Sequence, residues 1–433
     1  MTGTAAILDF AAAPHCLPAH VRADAERLLA DTLSVGAAGA WHEGAGRLLA
    51  AARGWGVGGE ARMLGRTERL PAPAAAAVNG FQIHCLEWDP VHEGAVVHAL
   101  SVVTTALGAV IGRRGGCDPD EALTALAVGV EVACALGLAA RGPLRFFRPA
   151  TAGIVGASLA AARLAGLDAA RFPDVLGLAV AQAAGTMQAH VEGSVALPLQ
   201  IGLAARGAVT AVDLAAAGLS GPHDALEGPY GYLALFDPGD LDAVPLGAPW
   251  RVTEVSVKPF PSGRASHGVL GAVLALRAEH GFAPRDVRAV EARVPPLVRR
   301  LVGRPMHPGL TPAEARLCLP FLLALALRDG RIDPRDFTPE VFADAELALF
   351  AGRLTFVVDE ALGPNALGPQ HVRLTLADGR SFERAVSATL GSPCAPLSPA
   401  EAEAKRALAR ALAPPETEAR LWTDPLGYWT DPA

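Results

Sequence analysis

The chain has 433 residues, 51% of them hydrophobic and 19% charged. This is a globular, core-rich composition with room for two or three domains, or for one large helical core carrying an inserted unit. A net charge of −7 gives no basic footprint, which argues against nucleic acid as a partner and means that any anionic substrate must be held by local cations.

Six cysteines at positions 16, 85, 117, 134, 318 and 394 form no CxxC unit. That scatter suits reduced thiols in a cytoplasmic protein better than a disulfide framework or a metal site. The N-terminus lacks a signal-peptide pattern, since the first basic residue is Arg22 and Asp9 interrupts the short apolar start. The uncharged run 94–112 has about the minimum length for a membrane span, but it is rich in Gly, Ala, Ser and Thr and contains His98. A buried core helix, without membrane association, is the expectation.

In chain order, residues 18–40 open on Pro18 and space Val21, Leu28, Leu29, Leu33 and Val35 as one face of a helix packed on a core. A Gly-rich connection at 54–59 follows, and Pro71 and Pro73 open a second helix that should end near Trp88. A third should begin near Glu93 and run to Gly112. Helices are expected at about 119–140, 151–166, 172–186 and 198–218, with Ala-, Gly- and Ser-rich faces that allow close helix approach. RGPLRFFRP puts Arg141, Arg145 and Arg148 on one connection, either a solvated loop or an anion site. Tyr230 and Tyr232 read as packing residues.

After Trp250 the periodicity changes. VTEVSVK alternates as a strand should, 267–281 reads as a helix, 286–294 as a strand and 312–329 as a helix. Strands follow near 354–359, 371–376 and 381–387, the last two joined by an Asp-Gly hairpin turn. The helix at 399–413 marks a return to the helical texture, and the Pro- and Trp-containing tail is expected to dock on a neighbour. The expected fold is therefore mainly α: an all-α body, 1–257 completed by 397–433, with an inserted α+β lid at 258–396.

The chemically densest window is HCLEWDPVHEGAVVH, residues 84–98, with three histidines and three carboxylates between alanine-rich helices. Asp89-Pro90 breaks the helix, and polar groups at such a break have free amides beside them and apolar walls behind, where pKa values shift. His84 reads as a satisfied or partly exposed histidine rather than a ligand. His98 interrupts an apolar face and is the better proton-transfer candidate. His92-Glu93 followed by His98 misses the HExxH spacing, so no metal site is expected. Only Lys258 and Lys405 are lysines. A chain that uses arginine for its positive charge keeps a lysine where it needs a compact amine that can lose a proton.

ADTLSVGAAGA, HCLEWDPVHEGAVVH, FFRPATAG, LSGPHDALEGPYGYL and VKPFPSGRASH stand in this order, and together they resemble segments of the MmgE/PrpD family over nearly the whole chain. The resemblance implies a helical body, a smaller α+β lid, a homodimer, and chemistry without metal or organic cofactor. Carried over residue by residue, it implies a site containing Glu87, Asp89, His92, His98, Lys258, Arg264 and His267. Glu87 stands where the family usually has Asp, and Pro90-Val91 where it has Asp-Thr. Leu197 replaces a lysine, Gln200 a histidine and Arg148 a histidine. Loss of the lysine at 197 removes a contact of about 1.5 to 3 kcal/mol to a carboxylate, which implies a substrate with fewer carboxylates than citrate-type acids, or with carboxylates held elsewhere, Arg148 and Gln200 being candidate contacts.

Such chemistry develops negative charge on a carbon beside a carboxylate. On this reading His98 transfers the proton, Lys258 and Arg264 stabilise charge, Glu87 or Asp89 orients an imidazole, and His92 protonates a departing hydroxyl. The expected activity is a lyase, a dehydratase or other β-eliminating enzyme on a small hydroxycarboxylic acid. The alternatives are a decarboxylase, an epimerase using His98 and Lys258 on opposite faces of one carbon, or a dimeric binding protein with a diverged site. His98 and Lys258 should meet at one cleft despite their separation in sequence.

Overall fold

The computed structural model describes residues 3–363 and 365–432. Six helices build the first half: α1 (Ala19–Gly39), α2 (Ala72–His84), α3 (Ala99–Arg114), α4 (Pro119–Ala139), α5 (Arg148–Leu164) and α6 (Ala196–Ala216). Proline sets the start of several. Pro18 and Pro71 occupy N-cap positions, and Pro119 follows Asp118, whose carboxylate accepts from the amides of Asp120 and Glu121. α5 lies at the centre and packs on α3, α4 and α6, while α6 lies along α2.

Small residues make these contacts possible. A Cβ on Gly202 of α6 would stand 2.1 Å from the carbonyl oxygen of Ala77 in α2, and one on Gly156 of α5 would stand 2.2 Å from that of Gly129 in α4. Only glycine lets the backbones approach so closely. α4 and α6 are long and apolar enough to cross a membrane, and α4 is almost wholly enclosed by the other helices.

A second apolar core is built on α7 (His267–His280), α8 (Leu319–Asp329) and a four-stranded mixed sheet. Its strands are β1 (Val287–Val294), β2 (Leu354–Val358), β3 (Gln370–Leu376) and β4 (Ser381–Val386), in the order β2-β1-β3-β4. β1 pairs parallel with β2 and antiparallel with β3, and β3 antiparallel with β4, through register pairs such as Glu291 with Arg373 and Arg373 with Glu383. Val372, Leu374 and Leu376 face inward while Arg373 faces out, the period of two that a half-buried strand requires.

The chain then returns. α9 (Pro399–Leu412), opened by a Ser398–Glu401 capping box, packs on α1. The tail packs on its own body: Leu421, Trp422, Tyr428 and Trp429 join the first core, and the Trp429 indole donates to the carbonyl of Thr104 at 3.3 Å.

Other expectations need correction. VTEVSVK is a 3₁₀ turn at Arg251–Glu254 followed by a single antiparallel bridge between Ser256 and Val91; without a continuous partner strand, alternation alone makes no ladder. The helix expected at 312–329 divides into Pro312–Ala315 and α8, because Pro320 begins a new first turn. The one expected at 172–186 stops at Val180. α2 ends at His84, not Trp88, and α3 begins at Ala99, not Glu93.

Candidate active site

The break between α2 and α3 is wider than Pro90 alone would make it, because its backbone is satisfied without helix. Val91 and Ser256 exchange both amide–carbonyl bonds, at 3.0 and 2.9 Å, and His92 and Val97 exchange theirs across a tight loop. Glu87 and Val96 adopt left-handed φ values of 51° and 54°, sparsely populated for side chains of these types. The Val91–Ser256 bridge ties the break to the segment entering the smaller unit. Two residues beyond Ser256, Lys258 reaches back into it.

Three ionisable side chains and a hydroxyl converge on Asp89, which is fully buried. His84 Nδ1 lies 2.9 Å and His98 Nδ1 2.9 Å from Asp89 Oδ2, and the Ser101 hydroxyl on the first turn of α3 donates to the same oxygen. Lys258 Nζ donates to the backbone carbonyl of Glu87 and to Glu87 Oε2, each at 3.1 Å, and stands 3.6 Å from Asp89 Oδ1. His84 Nε2 faces Glu87 Oε1 at 3.3 Å, an ion-pair distance whose angle is too poor for a hydrogen bond. The His84 and His98 rings meet edge to face with centroids 4.8 Å apart.

Burial opposes charge on every member, and the neighbours decide the outcome. Burial alone would raise the Glu87 and Asp89 carboxyls, yet Lys258 and His84 beside Glu87, and His84 and His98 beside Asp89, hold both well below the usual carboxylate range. Burial would lower His84, but Asp89 and Glu87 outweigh it and push this imidazole up to about 9. For His98 burial wins over Asp89, and its pKa is lowered. Near neutral pH the site thus holds two carboxylates, the His84 imidazolium, Lys258, and a neutral His98.

The tautomer of His98 follows. An ionised Asp89 accepts only, so His98 Nδ1 carries the proton and Nε2 carries a lone pair. The described residues supply no partner for Nε2. His98, His84 and Glu87 line a pocket of about 80 Å³ together with His190, Arg264 and a largely apolar wall. Lys258 is fully buried and stands behind Glu87, outside that lining. His84, Asp89 and His98 bring one ligand atom each within 4.8 Å of one another, a spacing that would suit a metal ion. The atoms concerned already bond one another, two ring N–H groups and a hydroxyl donating into one carboxylate, so the set is built as a hydrogen-bond network.

Two family models match the chain. The MmgE/PrpD N-terminal domain matches residues 8–243 and the MmgE/PrpD C-terminal domain residues 260–423. The chain belongs to the MmgE/PrpD family. Its relatives include the cis-aconitate decarboxylase of Homo sapiens, 29% identical over 78% of this chain and 72% of that protein. The cis-aconitate decarboxylase of Aspergillus terreus is 26% identical over 87% of this chain and 82% of its own length. A cis-aconitate decarboxylase-like protein of Aspergillus oryzae is 29% identical over 62% and 59%.

In this MmgE/PrpD chain, the residues singled out in the sequence divide into two groups. Glu87, Asp89, His98 and Lys258 come together. Arg264 stands on the same lining, and four others are held elsewhere. His92 takes the Ala95 amide on Nδ1 and faces Glu254 through Nε2 at 3.1 Å, bracing the loop with no access to the cavity as a proton donor. Arg148, the candidate substrate contact, is spent in a buried bidentate pair with Asp237, at 3.1 and 3.0 Å, and on the carbonyl of Ala95. Arg264 reaches the cavity wall but gives Nε and Nη2 to Glu93, Nη2 to Thr389, and Nη1 to Leu390 and His267, so all five N–H groups are committed. His267 lies behind it against Ser262. Gln200 packs beside Gly185, its amide atoms without partners and outside the cavity lining.

Three residues of the site carried little signal in sequence. His84 reads as a satisfied or partly exposed histidine and is the charged centre of the network. His190, in the short helix Gln188–Val191, lines the cavity, its pKa lowered to about 4 by burial and by Arg304; a lone histidine gives no warning of this. Lys405 donates to the carbonyl of Trp88 at 3.1 Å and to Asp31. The two lysines of the chain therefore end on consecutive carbonyls, Glu87 and Trp88. Their rarity was the clue, and it applied to both.

Proposed function

We propose that the protein is a lyase acting at a carbon beside a carboxylate, with His98 as its proton-transfer group. One observation carries this reading: His98 Nδ1 is held by the buried Asp89 at 2.9 Å, which leaves the Nε2 lone pair toward the cavity. A carboxylate that fixes the tautomer of an imidazole is the usual way to prepare a general base. His98 Nε2 takes the proton from carbon, the electron pair forms the new double bond, and a group on the neighbouring carbon leaves with the proton returned by His98. The field of the His84 imidazolium and Lys258 favours the negative charge that develops beside them. Lys258 acts from behind Glu87, whereas His84 stands on the cavity lining. The lowered pKa of His98 favours taking a proton first, and so supports β-elimination.

Decarboxylation is the second reading, supported by the printed names of the relatives. It runs the same group in the other direction: the carboxyl leaves as carbon dioxide and a protonated His98 delivers its proton to carbon. Incubation of the purified protein with a panel of small hydroxy and unsaturated acids in deuterium oxide separates the two, since elimination releases water and no gas, while decarboxylation releases carbon dioxide and places one deuteron on the product. The reading fails if neither product forms, or if His98→Gln retains more than about 1% of turnover.

A further inference from the structure

Resting on that reading, we infer that the substrate is a monocarboxylate bearing a short apolar arm, and that this arm occupies the wall facing His98. The wall is built by Leu144, Met187, Leu197, Leu301, Leu317 and Leu367, brought together from the loop before α5, the segment leading to α6, and the smaller unit. His98 Nε2 opens on the same cavity, so whatever it deprotonates lies in contact with these side chains.

The His84 imidazolium, on the lining, serves the carboxylate beside the reacting carbon; a second carboxylate would find no partner here. The one guanidinium on the lining, Arg264, has every N–H committed to Glu93, to two carbonyls and to His267. Lys258 is fully buried against Glu87 and Asp89. His190 stands on the lining with its cation disfavoured by burial and by Arg304. An unpaired carboxylate enclosed among aliphatic side chains loses its hydration without compensation, whereas an alkyl group gains from leaving water. The size also fits: about 80 Å³ is smaller than the void of about 150 Å³ that accepts a benzene ring, and holds an arm of roughly three or four carbons.

Calorimetric titration of the full chain with 2-methylbut-2-enoate and with tricarballylate tests this, because the two probes contrast a branched alkenyl arm with two extra carboxylates. The monocarboxylate should bind at least about tenfold more tightly. Leu197→Lys, which places a cation in the wall, should narrow or invert the preference. Met187→Lys, at a half-buried position that tolerates a polar group more easily, should act in the same direction. Equal or tighter binding of tricarballylate to the wild type, no detectable binding of the monocarboxylate, or a preference untouched by both variants overturns the inference. Titrating His98→Gln separates it from the lyase reading: a preference that persists while no acid is ever turned over sinks the lyase and leaves the apolar-arm site standing.

Discussion

Asp89 does for His98 what a sequence cannot display: it selects the tautomer. Asp89→Asn keeps the shape but no longer obliges Nδ1 to carry the proton, and should lower kcat by about 10³- to 10⁴-fold while the folded state persists, as circular dichroism would show. The pH profile follows from the same pair. His98 acts only when neutral, and its pKa lies below 6.5, so kcat/KM should rise with pH on an acidic limb below that value and then level off. It should fall again as pH passes about 9, where His84 loses its charge. Asp89 raises His98 against the effect of burial, so in Asp89→Asn the acidic limb should move to lower pH; movement upward would contradict this electrostatic account. Lys258→Arg preserves charge but not size. In a fully enclosed position with acceptors at 3.1 Å, the larger guanidinium should displace Glu87 and lower turnover by at least about tenfold without abolishing binding of a small acid.

At the scale of elements, the Gly202 contact between α2 and α6 sets how close the wall carrying Leu197 comes to the end of α2 at His84. Gly202→Ala forces a methyl to within 2.1 Å of a carbonyl oxygen and should cost about 1 to 3 kcal/mol by overpacking, measurable as a lower denaturation midpoint. Much of this architecture was legible. Alanine-rich runs opened by proline fixed α1, α2, α4 and α6 to within a few residues, and period-two alternation located the four strands of the larger sheet, because both signals are local; the short pair Ala61–Arg62 and Arg69–Leu70 left no such pattern. The loop at 85–98 was not, since its shape depends on pairing between Val91 and Ser256, more than 160 positions apart. The site was legible to the same degree. Dense polar residues beside Pro90 pointed to Glu87, Asp89 and His98, and the rarity of lysine to Lys258. Arg148, Arg264 and Gln200 misled because sequence shows that a cation or amide is present, not what it is already bonded to.

For the whole molecule, two apolar cores are joined where the site forms, and the surface carries one unresolved demand. Val191, Val195 and Leu203 are all exposed, by 44% to 66%, on α6 or just before it, and such a concentration of large aliphatic side chains is the mark of an association surface. We expect a homodimer built on this face; light scattering should give twice the mass of 44.5 kDa, and Leu203→Glu should shift the protein toward monomer. The C-terminal return sets the order in which a functional molecule can come into being. Glu87 and Asp89 leave the ribosome early, whereas Lys258 follows about 170 residues later and Lys405, which holds the Trp88 carbonyl, arrives only with α9. Two carboxylates cannot be enclosed stably before their cations are present. A nascent chain therefore meets its chemistry in instalments: the carboxylates come first, Lys258 closes on them, and the Trp88 carbonyl and Asp31 wait for Lys405 until α9 has been made.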